Sequence, residues 1–198
     1  MQSSMRDLFG CPTISGLHGA DGFVSADEER MLIGHIDELD LAPFRFQGWL
    51  GKRLTHSYGM HYDFDRGALA TTTPLPEWLT PFRDRAEAFA ALEPGTLIQA
   101  LLTRYDTGAG IGWHRDRPHF EHVVGISLGA PATLRFRRRI GDRFERFEWP
   151  LSPCGIYHLT GEVRHGWEHS IAAMTQTRWS ITLRSLSERG GRLTKFTQ

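Results

Sequence analysis

A histidine–aspartate pair near the middle of the chain and a histidine far downstream have the residue types of a metal site. His114 and Asp116 are separated by a single residue, and His169 lies much later in the sequence. Two imidazoles and one carboxylate form a facial triad, which binds Fe(II) and leaves positions open for oxygen and a further ligand. The pattern therefore predicts an iron site built from these three residues, with His165 as an alternative third ligand.

Two arginines farther along the chain could hold an anionic ligand beside this metal. Arg178 and Arg184 are six residues apart in a strand-like stretch. Because side chains alternate along a strand, an even separation places both arginines on one face. A guanidinium group is the natural partner of a carboxylate. The metal site and the two arginines together predict an enzyme that uses a dicarboxylate keto acid.

The composition is that of an ordinary globular protein. The chain has 198 residues, of which 40% are hydrophobic and 23% are charged. These values predict a single domain over residues 1–198, with a core at 97–186 and N-terminal helices and a substrate lid at 1–96. Cys11 and Cys154 lie far apart and form no CxxC motif, so neither a zinc site nor a disulfide framework is indicated.

The polar N-terminus and the absence of a long apolar run predict a cytoplasmic protein that does not enter membranes. No obligate protein partner is evident, and a formal net charge of zero gives the whole molecule no strong attraction for polyanions. The segment from Arg135 to Arg146 nevertheless holds six arginines against Asp142 and Glu145. It could contact the phosphates of a nucleic acid, or it could be a solvated sheet edge whose charges prevent aggregation.

The spacing of apolar residues predicts two helices followed by many short strands. Ser25 and Glu28 form a capping box, and the helix after it is expected to end near Asp40, with a second helix from Glu77 to Leu92. The β-segments are expected at Leu97–Asp106, Val123–Leu128, Thr133–Arg138, Phe144–Trp149, Ile156–Leu159, Trp167–Ala172 and Trp179–Leu186. This order predicts an α+β, mainly β fold, a sandwich or barrel with helices packed on one outer face.

The stretch at residues 44–64 is rich in aromatic residues and glycine. Its uneven alternation predicts two strands around Gly51 and a bend at Tyr58-Gly59. The side chains that could line a pocket or a lid over a flat substrate are Arg53, His56, Tyr58, His61 and Tyr62. Equally, the aromatic residues could pack beneath a loop.

The order of motifs over roughly residues 97 to 186 resembles the AlkB family of Fe(II)/2-oxoglutarate dioxygenases. The matching motifs are Thr103-Arg-Tyr105, Gly110, His114-Arg-Asp116, Gly125-Ile-Ser-Leu-Gly129, Gly161-Glu-Val-Arg164, His169-Ser-Ile171 and Arg178-Trp-Ser-Ile-Thr-Leu-Arg184. More loosely, Arg53-Leu-Thr-His-Ser-Tyr-Gly59 resembles the recognition lid of members that act on tRNA. The resemblance implies a double-stranded β-helix, or jelly-roll, core with the N-terminal helices on one face.

The resemblance also implies a role for each site residue. His114, Asp116 and His169 would be the iron ligands and the catalytic centre. Arg178 would pair with the distal carboxylate of 2-oxoglutarate, Arg184 would meet its keto-acid end or form the pocket wall, and Tyr105 would donate its phenol to the same molecule.

Two further residues of the expected 2-oxoglutarate site depart from the family pattern. Thr103 and Ser180 stand where nucleic-acid repair members often carry asparagine. Both still form hydrogen bonds, so co-substrate binding is expected to survive with altered geometry.

The activity implied by the resemblance is oxidative demethylation of N-alkylated bases in DNA or RNA. The cofactors would be Fe(II), 2-oxoglutarate and O2, with ascorbate as reductant, and the products formaldehyde, succinate and CO2. The base would leave the stack to react, with Tyr58 stacking on it and Arg139 contacting the nucleic acid. The alternatives are a 2-oxoglutarate hydroxylase or demethylase acting on a protein side chain or small molecule, and a non-catalytic jelly-roll module.

Overall fold

The computed structural model describes residues 14–46, 49–63, 68–188 and 190–191. Cys11 lies outside this description, as do the side chains of His61 and Tyr62, which the sequence suggested as pocket or lid residues.

The first strand and helix follow the expected sequence signals. Strand β1 covers Leu17–Ala20 and helix α1 covers Ala26–Asp37, slightly shorter than predicted. The capping box is confirmed, because the Ser25 hydroxyl accepts from the Glu28 amide at 3.2 Å and the Glu28 carboxylate accepts from the Ser25 amide at 2.8 Å.

The next segment forms two hairpins. Strands β2 (Ala42–Phe46) and β3 (Trp49–Tyr58) pair with each other, as do β4 (Met60–Asp63) and β5 (Ala68–Thr71). The predicted bend lies at Gly59, whose φ is +76° and where a Cβ would lie 2.0 Å from the Ile98 carbonyl oxygen, so only glycine fits. Gly51, by contrast, lies inside β3 rather than between two strands.

The predicted second helix divides into two parts. A 3-10 turn at Glu77–Leu79 leads into α2, which covers Thr80–Phe89. Pro81 falls in the first turn of α2, where a missing amide is tolerated. After α2, the buried Glu87 carboxylate accepts hydrogen bonds from the amides of Gly95 and Leu97, which fixes the path of the chain into the main sheet.

The remaining elements are mostly strands. They are β6 (Gln99–Tyr105), β7 (Ile111–His114), β8 (Phe120–Gly129), β9 (Ala132–Ile140), β10 (Arg143–Leu151), β11 (Ile156–Leu159), α3 (Gly161–Gly166), β12 (Glu168–Ile171) and β13 (Arg178–Leu186). The short strand β7 and the short helix α3 were not among the predicted elements, because β7 has only four residues, with Gly112 among them, and α3 begins and ends with a glycine.

Two antiparallel sheets make up the core. One has the order β1-β11-β8-β13-β6-β3-β2 and the other the order β10-β9-β12-β7. The α+β, mainly β jelly-roll fold expected from the sequence is therefore confirmed.

Alternation along the central strands separates the helix-side core from the space between the sheets. On β8 and β13, Val124, Ile126, Ile181 and Leu183 pack in the cluster that includes residues of α1 and α2. Each such buried aliphatic side chain stabilises the fold by about 1.5–3 kcal/mol. The intervening residues of the same strands face the second sheet.

No helix among the described residues is long and apolar enough to cross a bilayer.

Three histidines lie near one edge of the larger sheet. His18 and His158 are cross-strand neighbours, and Nδ1 of His122 is 3.0 Å from Nε2 of His158. Burial, together with the nearby His122 and His18, lowers the pKa of His158 to about 4. His158 is therefore neutral in the folded protein at neutral pH.

This cluster predicts acid sensitivity of the fold. As the pH falls from 6.5 towards about 4, the unfolded chain takes up a proton at His158 that the folded chain resists. The free energy of unfolding should fall across this window, by on the order of 1 kcal/mol once solvent screening is allowed for. Urea denaturation of His158→Gln should show a shallower pH slope than the wild type, with His56→Gln as the control. An unchanged slope would contradict the assignment.

Candidate active site

The structure brings His114, Asp116 and His169 together between the two sheets. His114 ends β7 and is the cross-strand partner of His169 on β12. One potential ligand atom from each of the three residues lies within 4.8 Å of the others, and Nε2 of His169 is 3.5 Å from Oδ2 of Asp116. A metal ion at this point would have two imidazole nitrogens and one carboxylate oxygen on one side.

The alternative ligand, His165, lies elsewhere. It is in α3, and its Nε2 is 2.9 Å from Oε1 of Glu121, with about half of the side chain exposed. The geometry therefore favours His169 as the third ligand.

The environment holds the three side chains in the protonation states that bind metal. Burial lowers the pKa of His114, and burial with the neighbouring His114 lowers the pKa of His169 to about 3. Burial alone would raise the pKa of Asp116, but Arg184 and the two histidines outweigh it and hold that pKa below its usual range. Two neutral imidazoles and a carboxylate are the forms that ligate a cation.

Backbone contacts orient one of the imidazoles. Nδ1 of His114 is 2.9 Å from the carbonyl oxygen of Gly112. A proton on Nδ1, donated to this oxygen, leaves Nε2 as the free donor for a metal.

Arg184 holds the carboxylate of Asp116 in place. Its Nη2 and Nε lie 2.9 and 3.1 Å from Oδ1 of Asp116, and its Nη1 donates to Oε1 of Gln99 at 3.0 Å. The expectation that Arg184 forms the pocket wall agrees with this position, while the tie to Asp116 and the role of Gln99 were not anticipated. Because both partners are largely buried, the pair keeps the carboxylate ionised beside the metal position.

Arg164 supports the loop that carries Asp116. It is buried, and its guanidinium donates to the carbonyl oxygens of Asp116, Arg117 and Phe120 at 3.2, 2.6 and 2.6 Å. The Gly161-Glu-Val-Arg164 motif therefore has a structural role, because its arginine stabilises the loop after β7.

Arg178 is a buried cation that lacks an anion. It is 1% exposed, and its Nη2 donates to the Ser127 hydroxyl at 3.1 Å. Its Nε and Nη1 have no partner among the described residues. Leaving a guanidinium unpaired away from water costs several kcal/mol. The arrangement therefore fits the binding of a ligand that carries a carboxylate.

Tyr105, Thr103 and Ser180 lie around this cation. Tyr105 and Thr103 are the β6 partners of Arg178 and Ser180 on β13, and the Arg178 guanidinium is 5.3 Å from the centre of the Tyr105 ring. Tyr105 and Thr103 line the pocket, whereas Ser180 is buried beside Thr103 and is not part of the pocket lining. Their predicted contacts with 2-oxoglutarate stay predictions.

Tyr157 is a pocket residue that sequence reasoning missed. Its ring lies over Gly125, where a Cβ would come within 2.2 Å of the ring carbon that bears the hydroxyl. Burial raises the pKa of Tyr157 to about 12, so the phenol stays protonated as a hydrogen-bond donor near Arg178. Gly125, a glycine within a strand, was the sequence signal that could have indicated a large side chain packed against this position.

The pocket has a volume of about 550 Å³ and is lined by both sheets. Its walls include the metal triad, Arg184 and Tyr157, together with Phe44, Arg53, Trp113 and Leu134. It is larger than the metal and a small dicarboxylate need, which leaves room for a second organic molecule.

The two residues predicted to contact substrate lie outside this pocket. Tyr58 is 7% exposed and packs in the helix-side core, because Arg53, Thr55 and Ser57 take the pocket face of β3. The prediction that Tyr58 stacks on a substrate is therefore wrong. Arg139 is exposed at the end of β9 and donates to the Gly141 carbonyl at 3.0 Å, so its contact with nucleic acid remains a prediction.

Comparison with known proteins agrees with this geometry. Residues 34–194 match the 2OG-Fe(II) oxygenase superfamily, which is most of the chain. This chain is a 2OG-Fe(II) oxygenase. No curated protein sequence matches it.

Solved structures show the same fold at low sequence identity. OsALKBH1 has a TM-score of 0.69 and 15% identity, over 87% of this chain and 98% of that one. A 2OG-Fe(II) oxygenase family oxidoreductase from Burkholderia pseudomallei has a TM-score of 0.60 and 16% identity, over 86% and 85%. A Pseudomonas putida prolyl-4-hydroxylase has a TM-score of 0.57 and 14% identity, over 87% and 93%.

The residues present fit the cofactors of the superfamily, which are Fe(II), 2-oxoglutarate and O2. The donor set of His114, Asp116 and His169 would hold the iron, and the unpaired Arg178 would take a carboxylate of 2-oxoglutarate. When bound, the iron would let O2 act as the oxidant that hydroxylates a C–H bond, with 2-oxoglutarate supplying two of the four electrons that O2 takes up.

Replacing Arg178 should weaken 2-oxoglutarate binding selectively. Arg178→Met removes a charge-assisted contact, so the KM for 2-oxoglutarate should rise at least about tenfold. Iron binding and thermal stability should not fall, since no ion pair of the described residues is lost. Succinate formation and calorimetric titration would measure these effects, with the exposed Arg139→Met as the control. A KM like that of the wild type would remove Arg178 from the co-substrate site.

Adding a methyl group at Gly125 should disturb the same site through Tyr157. In Gly125→Ala the new Cβ overlaps the ring, which must move towards the pocket. The affinity for 2-oxoglutarate should fall several-fold, to an extent set by how far the ring can move. The double variant Gly125→Ala/Tyr157→Leu should regain part of this affinity in calorimetric titration. Wild-type affinity in the single variant would show that the ring position does not matter.

Proposed function

We propose that this dioxygenase oxidatively demethylates N-alkylated bases in DNA or RNA. The observation that carries the proposal is a pocket of about 550 Å³ that opens past the metal triad, with room beside the co-substrate for one flat ring. A base taken out of its stack can enter such a pocket, whereas a paired duplex cannot.

The fold likeness to OsALKBH1 supports this proposal, since its name marks it as an AlkB homologue and the match covers 98% of that chain. The aromatic residues Phe44 and Trp113 in the pocket wall give a flat substrate apolar surface to lie against.

The charges on the β9–β10 hairpin also favour a polyanion. Arg137 and Arg138 are engaged by Glu168 and Glu145, at 2.7 and 2.6 Å. Arg143 and Arg146 are exposed and take part in no ion pair among the described residues, so they are available to phosphates.

The reaction balances without an acid or base from the protein. One atom of O2 ends in the new carboxylate of succinate, CO2 leaves, and the other atom ends in a hydroxymethyl group on the nitrogen. That group releases formaldehyde and returns the proton to the nitrogen. The residues of the chain bind and orient the reactants, and apolar side chains such as Leu134 keep water from the metal position.

A hydroxylase of a protein side chain or a small molecule is the second candidate. The likeness to the Pseudomonas putida prolyl-4-hydroxylase, at a TM-score of 0.57, favours it. The third possibility, a non-catalytic module, does not agree with membership of an oxygenase superfamily and an assembled triad.

The two candidates differ in a mass-spectrometric assay. Single-stranded DNA and RNA carrying 1-methyladenine, 3-methylcytosine or 3-methyluracil would be incubated with the enzyme, Fe(II), ascorbate and 2-oxoglutarate. The expected result is the loss of one CH2 unit in mass with formation of an equal amount of succinate. The KM for the oligonucleotide should rise with salt concentration. Succinate without any change in mass would instead support the second candidate.

Removing the metal carboxylate should abolish the reaction. In Asp116→Ala the iron site keeps only two neutral ligands, so turnover should fall by at least about a thousandfold, as expected when a catalytic metal is lost. Asp142→Ala, at an exposed turn, is the matched control, and circular dichroism would verify folding. Substantial turnover in Asp116→Ala would disprove the assignment of the triad.

A further inference from the structure

Arg53 is a cation on the pocket wall that forms no ion pair with any described residue. It is on β3, is 8% exposed and lines the pocket. Its guanidinium carbon lies 3.9 Å from the centre of the Phe44 ring. Within the described parts of the chain, no hydrogen bond or ion pair involves Arg53. Its N–H groups therefore have no acceptor.

The other buried arginines of the region already have assignments. Arg184 is paired with Asp116, Arg164 donates to three carbonyl oxygens, and Arg178 fits a carboxylate of the co-substrate. Arg53 is left with five N–H donors and no such role. A guanidinium on the wall of a pocket can donate hydrogen bonds to the acceptors of a bound ligand.

The position of Arg53 places it near the reaction centre. Its electrostatic partners are Tyr105, Arg184 and Asp116. Arg53 lines the same pocket as the three candidate metal ligands, His114, Asp116 and His169. A substrate whose reacting carbon approaches the iron position must therefore come within range of this guanidinium.

The charges of the loaded site leave Arg53 in excess. Iron, Arg178 and Arg184 are positive, and the carboxylates of Asp116 and of 2-oxoglutarate are negative. These groups already sum to a positive charge, to which Arg53 adds another. A cationic substrate entering this pocket meets repulsion that water screens only in part.

We propose that Arg53 is a specificity-determining residue that selects uncharged N-alkylated bases and donates hydrogen bonds to their carbonyl oxygens. The proposal rests on the proposed function and narrows its substrate class. A ring methylated at an imide nitrogen, such as 3-methyluracil, is neutral and carries two flanking carbonyl acceptors. The same ring methylated as 3-methylcytosine is a cation, as is 1-methyladenine.

The comparison of 3-methyluracil with 3-methylcytosine isolates this charge. The methyl group occupies the same ring position in both, and the two differ only at the 4-oxo or 4-amino group. Labelled single-stranded pentanucleotides containing one or the other would be titrated anaerobically against the protein loaded with Fe(II) and 2-oxoglutarate, and followed by fluorescence anisotropy. Contacts with the nucleic-acid backbone cancel in the ratio of the two Kd values, because the two oligonucleotides have identical phosphates.

The wild type should bind the neutral base more tightly by about 10- to 100-fold, the range expected for like charges several Å apart in a partly dry pocket. Arg53→Gln should bring the ratio close to one, and Arg53→Glu should reverse it. Arg53→Lys should keep the repulsion but bind 3-methyluracil more weakly, because the two-pronged donor is lost. The Kd for 2-oxoglutarate should stay within about twofold in all three variants, well below the effect of losing a direct charged contact. Arg30→Gln, on the exposed face of α1, is the control.

Several results would overturn the proposal. They are a preference for the cation in the wild type, an unchanged ratio in Arg53→Gln, an effect on 2-oxoglutarate alone, and binding of neither oligonucleotide. Mass spectrometry of the same oligonucleotides under oxygen keeps the two proposals separate. Demethylation with equal binding of 3-methyluracil and 3-methylcytosine would disprove only the role of Arg53. A difference in binding between the two bases without demethylation would disprove only the proposed function.

Discussion

The ion pair between Arg184 and Asp116 is the interaction on which the site depends. Burial raises the pKa of Asp116, and Arg184 is the strongest of the neighbours that lower it again; a protonated Asp116 would be a poor metal ligand. Arg184 can reach it only because β13 lies in the middle of the larger sheet, opposite the strands that carry the histidines. The sheet order, the buried cation and the ionised ligand therefore depend on one another.

Strand alternation links this pair to the rest of the molecule. Thr182 and Arg184 of β13 line the pocket, and they alternate with Ile181 and Leu183, which fill the core beneath the helices. A shift of one residue in the pairing of β13 would exchange the two sets and lose both the core and the site. The hydrophobic core thus fixes the register that places the two arginines.

Much of this arrangement could be predicted from local pattern. The triad, the two arginines on one face and the jelly-roll fold all follow from residue type, even spacing and motif order. Tyr58 was misplaced because an aromatic residue in an irregular stretch gives no sign of which face it takes, and the alternation of β3 turns it to the helices. Tyr157, Gln99 and the unpaired state of Arg53 depend on contacts between distant strands, which no local pattern records.

The buried Arg178 has a consequence for how the protein can evolve. Its unpaired guanidinium makes the empty fold less stable than an apolar residue of the same length would, and the bound dicarboxylate offsets that loss. Stability of the ligand-free protein and affinity for the co-substrate therefore favour different residues at this position. Selection for a more stable ligand-free protein would favour losing the arginine, whereas selection for co-substrate binding would favour keeping it.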